Sequence, residues 1–179
     1  MSRFHLILLC LLCLFVAISF AARQGDVVTY ERMRNSDREP QNWMHYWGNY
    51  QGTHYSALKQ ITKSNVANLQ LQWSIQLAGA LAFETEPLVI DGIMYTSGQP
   101  GTVLALNAKT GKQLWQFTRQ RKIKNPNEIN PYNRGVAVLG NRVFAGTLDA
   151  AIVAIDARTG MPLWETQVAD ITNELCCRR

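Results

Sequence analysis

Histidine is nearly absent from this 179-residue chain: there are three, and neither His45 nor His54 has a cysteine at metal-ligand spacing. His5 falls in an apolar leader, while His45 and His54 sit apart in an aromatic segment and read as packing or surface side chains. No glycine-rich phosphate loop and no nucleophile elbow occurs, which removes the commonest nucleotide-binding and hydrolase motifs. Cysteine is scarce too. Of four, Cys10 and Cys13 belong to the leader, leaving Cys176 and Cys177 adjacent near the last residue. Such a pair could close a strained vicinal disulfide, stay free or bridge to another chain, and no role is assigned to it. The formal charge is +5, but the basic residues are scattered. The one run, Arg119, Arg121, Lys122 and Lys124, reads as a solvated loop. Without a basic face or a recognisable module, nucleic acid is excluded as a partner.

What is present begins with an export signal. Arg3 precedes an apolar run from Leu6 to Phe20, closed by the small residues Ser19, Ala21 and Ala22. Residues 1–21 are expected to be a signal peptide cleaved after Ala21, which places the protein in the periplasm. The alternative is an uncleaved N-terminal anchor, the only route by which this sequence would meet a membrane. Residues 22–70 form a polar, extended lead-in to about Pro40, followed by an aromatic segment with Trp43, Tyr46, Trp47, Tyr50 and Tyr55. Thr62 and Ser64 are candidate caps of a short helix over Asn65 to Leu69. Leu71, Trp73 and Ile75 alternate with Gln72, Ser74 and Gln76 as a half-buried strand would.

Residues 71–179 hold a repeat, the strongest structural signal in the chain. Shifting residues 87–115 by 49 positions superposes Val89, Ala105, Ala108, Thr110, Gly111, Leu114 and Trp115 on Val138, Ala154, Ala157, Thr159, Gly160, Leu163 and Trp164. Each unit reads as four short strands with turns at Asp91-Gly92 or Gly140-Asn141 and at Thr110-Gly111 or Thr159-Gly160. Glycine suits a turn position with positive φ, and the threonine hydroxyl can bond local backbone. Four strands at this spacing make one blade of a β-propeller, so the fold class is all-β: a partial propeller of about two blades behind an N-terminal segment. A blade buries its faces against neighbours, and a ring needs about 4 to 8 of them. Two repeats alone are therefore expected to be unstable, prone to aggregate, or completed by sequence not present here.

The repeat endings Ala-Leu-Asn-Ala-Lys-Thr-Gly-Lys-Gln-Leu-Trp at 105–115 and Ala-Ile-Asp-Ala-Arg-Thr-Gly-Met-Pro-Leu-Trp at 154–164 resemble the tryptophan-docking motif of the PQQ-dependent quinoprotein alcohol dehydrogenases. The stretch from Asn42-Trp43 through Tyr46, Gly52, Tyr55-Ser56, Leu58, Gln60-Ile61-Thr62 and on to Trp73 is similar to the opening of that family. The resemblance runs from about Val28 to Asp170 and implies the first part of an eight-bladed propeller.

The segment Phe83-Glu84-Thr85-Glu86-Pro87-Leu88-Val89 is similar to the family pattern in which a glutamate three residues before the proline binds the cofactor, which makes Glu84 a cofactor residue. Glu86 falls on a variable position and is expected to face solvent. Asn133-Arg134-Gly135 matches the family's Asn-Arg-Gly, whose arginine contacts PQQ, so Arg134 is the second cofactor residue. A guanidinium fork suits a tricarboxylate. Each has a plainer reading, Glu84 as a loop acid and Arg134 as a blade-edge cation paired to a nearby acid.

The sequence departs from the family where two adjacent cysteines, six and five residues before that arginine, form a ring of a disulfide against the quinone. Glu128 and Ile129 stand there, so either this subfamily dispenses with the disulfide or cofactor binding has been lost. The resemblance further implies calcium, an alcohol or sugar substrate and a cytochrome c acceptor. The calcium ligands and the aspartate base have no counterpart in these 179 residues, so no catalytic residue and no metal ligand is assigned. Two other readings stay open: a non-catalytic propeller scaffold for protein interactions, and a truncated gene product without function.

Overall fold

The computed structural model describes residues 27–77, 83–98, 101–122 and 132–171. The apolar leader, Glu128, Ile129, Cys176 and Cys177 lie outside them. No helix among the described residues is long and apolar enough to cross a membrane.

Eight strands form two antiparallel sheets, each a simple meander: β1 (Leu88–Ile90), β2 (Ile93–Gly98), β3 (Thr102–Asn107) and β4 (Gln113–Thr118), then β5 (Ala137–Leu139), β6 (Arg142–Gly146), β7 (Ala151–Asp156) and β8 (Pro162–Gln167). The two blades read from the repeat are these two sheets. The correspondence extends to an irregularity: register shifts between Ala105 and Leu106 in one sheet and between Ala154 and Ile155 in the other, 49 residues apart. Identical turns explain it. Gly111 and Gly160 hold φ of +70° and +74°, a conformation that glycine adopts without the Cβ penalty. Thr110 donates its hydroxyl to Asn107 Oδ1 at 3.0 Å and Thr159 donates to Asp156 Oδ1 at 2.7 Å. Each threonine hydroxyl also accepts the backbone N–H two residues on, as turn chemistry favours.

A tryptophan joins the sheets. Trp115 on β4 donates its indole N–H to the Ala157 carbonyl at 2.9 Å, and its ring lies against Gly160, where an added Cβ would come within 2.8 Å of the indole. Glycine at 160 thus serves two demands, positive φ and a flat seat for an aromatic ring. Trp73 repeats the arrangement one unit earlier, donating to the Ala108 carbonyl at 3.1 Å with its ring on Gly111. The alternation over 71–76 was read as a strand, but no strand forms there. Leu71 is 84% exposed, and the segment is held by Trp73 docking instead of by a ladder. The expected helix over 65–69 is a single 3₁₀ turn, Val66–Asn68, without a side-chain cap. Asn65 Oδ1 accepts the Thr62 N–H, so the local side-chain bonds favour a turn over a longer helix.

The lead-in is also more structured than its polarity suggested. It forms α1 (Tyr30–Arg34), capped by Thr29, and a 3₁₀ turn at Ser36–Arg38. Arg32 reaches both Glu39 and Asp91, so a helix side chain grips the β1–β2 turn. These carboxylates raise the Arg32 pKa, while Arg32 holds those of Glu39 and Asp91 below their usual range. Trp43 pairs with Val89 on the free edge of β1, and Val28 pairs with Gly140 at the β5–β6 turn. The lead-in therefore touches both sheets. One apolar core runs through all three parts, from Val28 and Met44 through Ile90, Tyr95 and Val103 to Val143, Val153 and Ile155.

Candidate functional site at the entry to the two sheets

The segments entering the sheets, residues 83–87 before β1 and 132–136 before β5, lie side by side. Gly135, at φ +126°, sits so close to the first segment that an added Cβ would be 3.4 Å from the Glu86 carbonyl and 3.5 Å from Thr85 Oγ1. This juxtaposition brings the two expected cofactor residues together: Arg134 Nη2 is 3.0 Å from Glu84 Oε2. They are 50 positions apart in the chain and meet because equivalent segments of neighbouring units are adjacent in space. The Arg134 side chain is 75% exposed. One of its nitrogens engages Glu84, and most of the planar fork faces outward.

Beside this exposed pair runs a polar network, anchored on one buried hydroxyl, that the sequence did not reveal. Ser97 on β2 is fully buried and donates its hydroxyl to Asn133 Oδ1 at 2.6 Å. Its oxygen is 3.1 Å from Thr85 Oγ1. Asn133 Oδ1 also accepts the Gly135 N–H at 2.9 Å, and its amide donates to the Gly146 carbonyl at 2.9 Å. Buried hydroxyls and amides are placed where their bonds can be made, and here the bonds run from one entry segment to the other through β2.

Glu86 was expected to face solvent and does not. Its Oε1 accepts the Trp43 indole N–H and the Trp47 backbone N–H, the latter at 2.9 Å. It binds the aromatic segment to the segment carrying Glu84. The turn it holds is tight: Trp47 has φ +66°, Gly48 has φ +92°, and the Trp43 ring packs on Gly48. The two described histidines, His45 and His54, are packing or surface groups, as expected. His45 donates Nε2–H to the Met33 carbonyl at 2.8 Å, and His54 lies against Trp47 with ring centroids 5.0 Å apart.

The basic run at 119–124 is not all solvated. Arg119, just past β4, is 8% exposed and bridges to the second sheet, donating to both oxygens of Asp149 at 2.8 and 3.0 Å and to both of Glu165 at 3.0 and 2.9 Å. Burial pushes the Asp149 carboxyl up, but the Thr147 hydroxyl, the Lys122 N–H and Arg119 outweigh it and bring it down to about 2. Arg119 and Lys122 hold Glu165 at about 2 as well. Lys122 also pairs with Glu165 at 2.8 Å. This cluster is an inter-sheet tie, and its charges are already matched. Among the described residues there is no group of three His, Cys, Asp or Glu placed to hold a metal ion.

The chain matches the family described as "PQQ: Glucose/ethanol/alcohol dehydrogenase, beta-propeller domain" over residues 43–166. It is 41% identical over 135 residues to the quinohemoprotein alcohol dehydrogenase ADH-IIG of Pseudomonas putida, covering 74% of this chain and 19% of that one. A solved structure of ADHIIG from P. putida HK5 superposes with a TM-score of 0.76 at 39% identity, over 80% of this chain and 21% of that one. The 1-butanol dehydrogenase (cytochrome c) of Thauera butanivorans is 44% identical over 116 residues, 64% of this chain and 17% of its own. A europium-containing methanol dehydrogenase superposes with a TM-score of 0.67 at 36% identity, over 78% of this chain and 25% of that one. The chain thus spans about a fifth of the length of such relatives. With residues 43–166 matched by the family and the fold shared over 80% of the chain, this chain belongs to the PQQ-dependent glucose/ethanol/alcohol dehydrogenase β-propeller family.

Proposed function

We propose that these residues form one wall of the PQQ site of a dehydrogenase that oxidises alcohols or sugars, with Glu84 and Arg134 as its cofactor contacts. The observation that carries this reading is the meeting of Glu84 and Arg134 at 3.0 Å on an exposed edge, beside a polar network anchored on the buried Ser97. The donor set fits the group. A permanently charged guanidinium with outward-facing N–H groups can take a carboxylate of a tricarboxylate in a bidentate manner. Glu84 offsets part of that charge and can accept an N–H from the bound molecule. PQQ supplies the electron-accepting quinone when bound; this chain binds and orients it.

The relatives are named for alcohols and, in one case, for cytochrome c, and from these come the proposed substrate class and electron acceptor. Calcium is proposed as the accompanying cation, with ligands from outside the described residues. The europium-containing relative supports a metal ion in such a site without selecting calcium. Export to the periplasm, by a signal peptide over residues 1–21, follows from the leader's composition. The ion pair itself favours a second reading, a scaffold in which Glu84 and Arg134 only tie two blades together.

Equilibrium dialysis of PQQ against the full-length protein in calcium buffer separates the two. On the first reading Arg134→Ala weakens binding by about ten- to a hundredfold, as loss of a charge-assisted hydrogen bond should. Unchanged affinity removes Arg134 from the site and leaves the scaffold reading.

A further inference from the structure

We propose that Asn133 is the positioning residue for Arg134, and that Ser97 and Thr85 extend its hold to Glu84, so that one relay centred on the buried Ser97 sets the spacing of the pair. This rests on the proposed PQQ site.

The direction of each bond in the relay follows from the chemistry of its atoms. Asn133 Oδ1 can only accept, so the Ser97 hydroxyl spends its single proton there, at 2.6 Å. Ser97 Oγ is then an acceptor toward its other neighbour, and Thr85 Oγ1 at 3.1 Å must be the donor. The amide orientation of Asn133 is equally constrained. Turning it over would put its nitrogen against the Gly135 N–H and its oxygen against the Gly146 carbonyl, losing both of those bonds. The relay therefore runs one way, Thr85 to Ser97 to Asn133.

Two consequences reach the exposed pair. By accepting the Gly135 N–H two residues on, Asn133 closes a side-chain turn around Arg134 and fixes the peptide units on both sides of it. By donating to Gly146, it fastens that turn to β6, and through Ser97 to β2. Thr85, adjacent to Glu84, hangs from the same serine. Arg134 is an exposed, long side chain whose rotamers are otherwise free, so the root of its backbone is where its aim can be set. Glu84 has the same relation to Thr85.

The test compares PQQ affinities by equilibrium dialysis for the full-length wild type, N133A, S97A, R134A, N133A/R134A and S97A/R134A, each confirmed as folded by its cooperative melt. N133A is expected to weaken binding about tenfold, and S97A about threefold, because it spares the turn around Arg134. Each double variant should bind PQQ with the affinity of R134A alone, the single-variant loss disappearing, since a group acting through Arg134 has nothing left to position. A residue that only stabilised the fold would instead add its full loss to that of R134A. Additive losses, or N133A within about threefold of wild type, overturn the proposal while the PQQ site stands. If R134A itself binds PQQ as wild type does, it is the underlying site that fails. S97A carries the same test should N133A not fold.

Discussion

Replacing Arg119 by alanine isolates what an inter-sheet ion cluster contributes to this fold. Asp149 is 1% exposed, and in the variant it keeps the Thr147 hydroxyl and the Lys122 N–H but loses its countercharge. Removing one partner of a buried pair typically costs about 3–5 kcal/mol, because the remaining charge is left uncompensated. The carboxyl's titration gives a separate measure. A fall from 3.8 to about 2 corresponds to about 2 kcal/mol of stability at neutral pH. Glu165, 27% exposed and beside Lys122, adds less. The two routes bracket a loss of about 2–5 kcal/mol.

The sign follows from the depressed carboxyls. Their stabilisation is present above the unfolded values and is lost as pH falls through the folded ones, so the difference between wild type and R119A should be full above about pH 4.5 and shrink between pH 4.5 and 2. Urea unfolding of the full-length protein, followed by circular dichroism across that range, gives both numbers. A deficit below about 1 kcal/mol at pH 7, or one that does not change with pH, would refute the reasoning.

The seat for Trp115 should be intolerant of a side chain. Gly160→Ala meets both a positive φ and an indole 2.8 Å from the new Cβ, whereas Gly140→Ala, at φ +65° with nothing within 4 Å, carries only the backbone strain. We expect urea unfolding to show G160A less stable than G140A by about 1–3 kcal/mol, and equal losses would remove the steric part of the account. Glu86→Ala leaves the Trp43 indole N–H and the Trp47 N–H without their acceptor, at a cost of about 1–3 kcal/mol; Glu86→Gln, which keeps an oxygen there, should recover much of it. A fluorescence-monitored melt reads both, and equal losses from the two variants would show that the acceptor is not what matters.

The local grammar of the chain was legible from its residues. Strand periodicity and turn chemistry act over a few positions, so the 49-residue repeat announced both sheets and their glycine turns, while the matching register shift appeared only in the structure. The motifs around Glu84 and Arg134 were enough to name the family. Where the reading failed, the deciding partner lay elsewhere in the chain. Leu71, Trp73 and Ile75 alternate like a strand, yet Trp73 is held by Ala108 and Gly111 and no neighbouring strand pairs with the segment. A polar lead-in became a helix whose Arg32 binds Asp91 on β1–β2.

Three charges had their roles decided only by packing. Arg119 looked like one of a run of solvated cations, and its acids come from 30 and 46 residues away in the next sheet. Glu86 looked like a surface acid, and its donors, Trp43 and Trp47, come from the aromatic segment. Arg134 and Glu84 were two separate motifs until adjacent sheets placed them 3.0 Å apart. Even identical residues diverge: Trp115 is 8% exposed on the seat that Gly160 makes, while its repeat partner Trp164 is 45% exposed. Sequence by itself determined the repeating unit, because backbone turns and side-chain alternation are short-range. Only the tertiary structure determined which charges are matched and which remain available, because electrostatic and steric partners are chosen by distance in space.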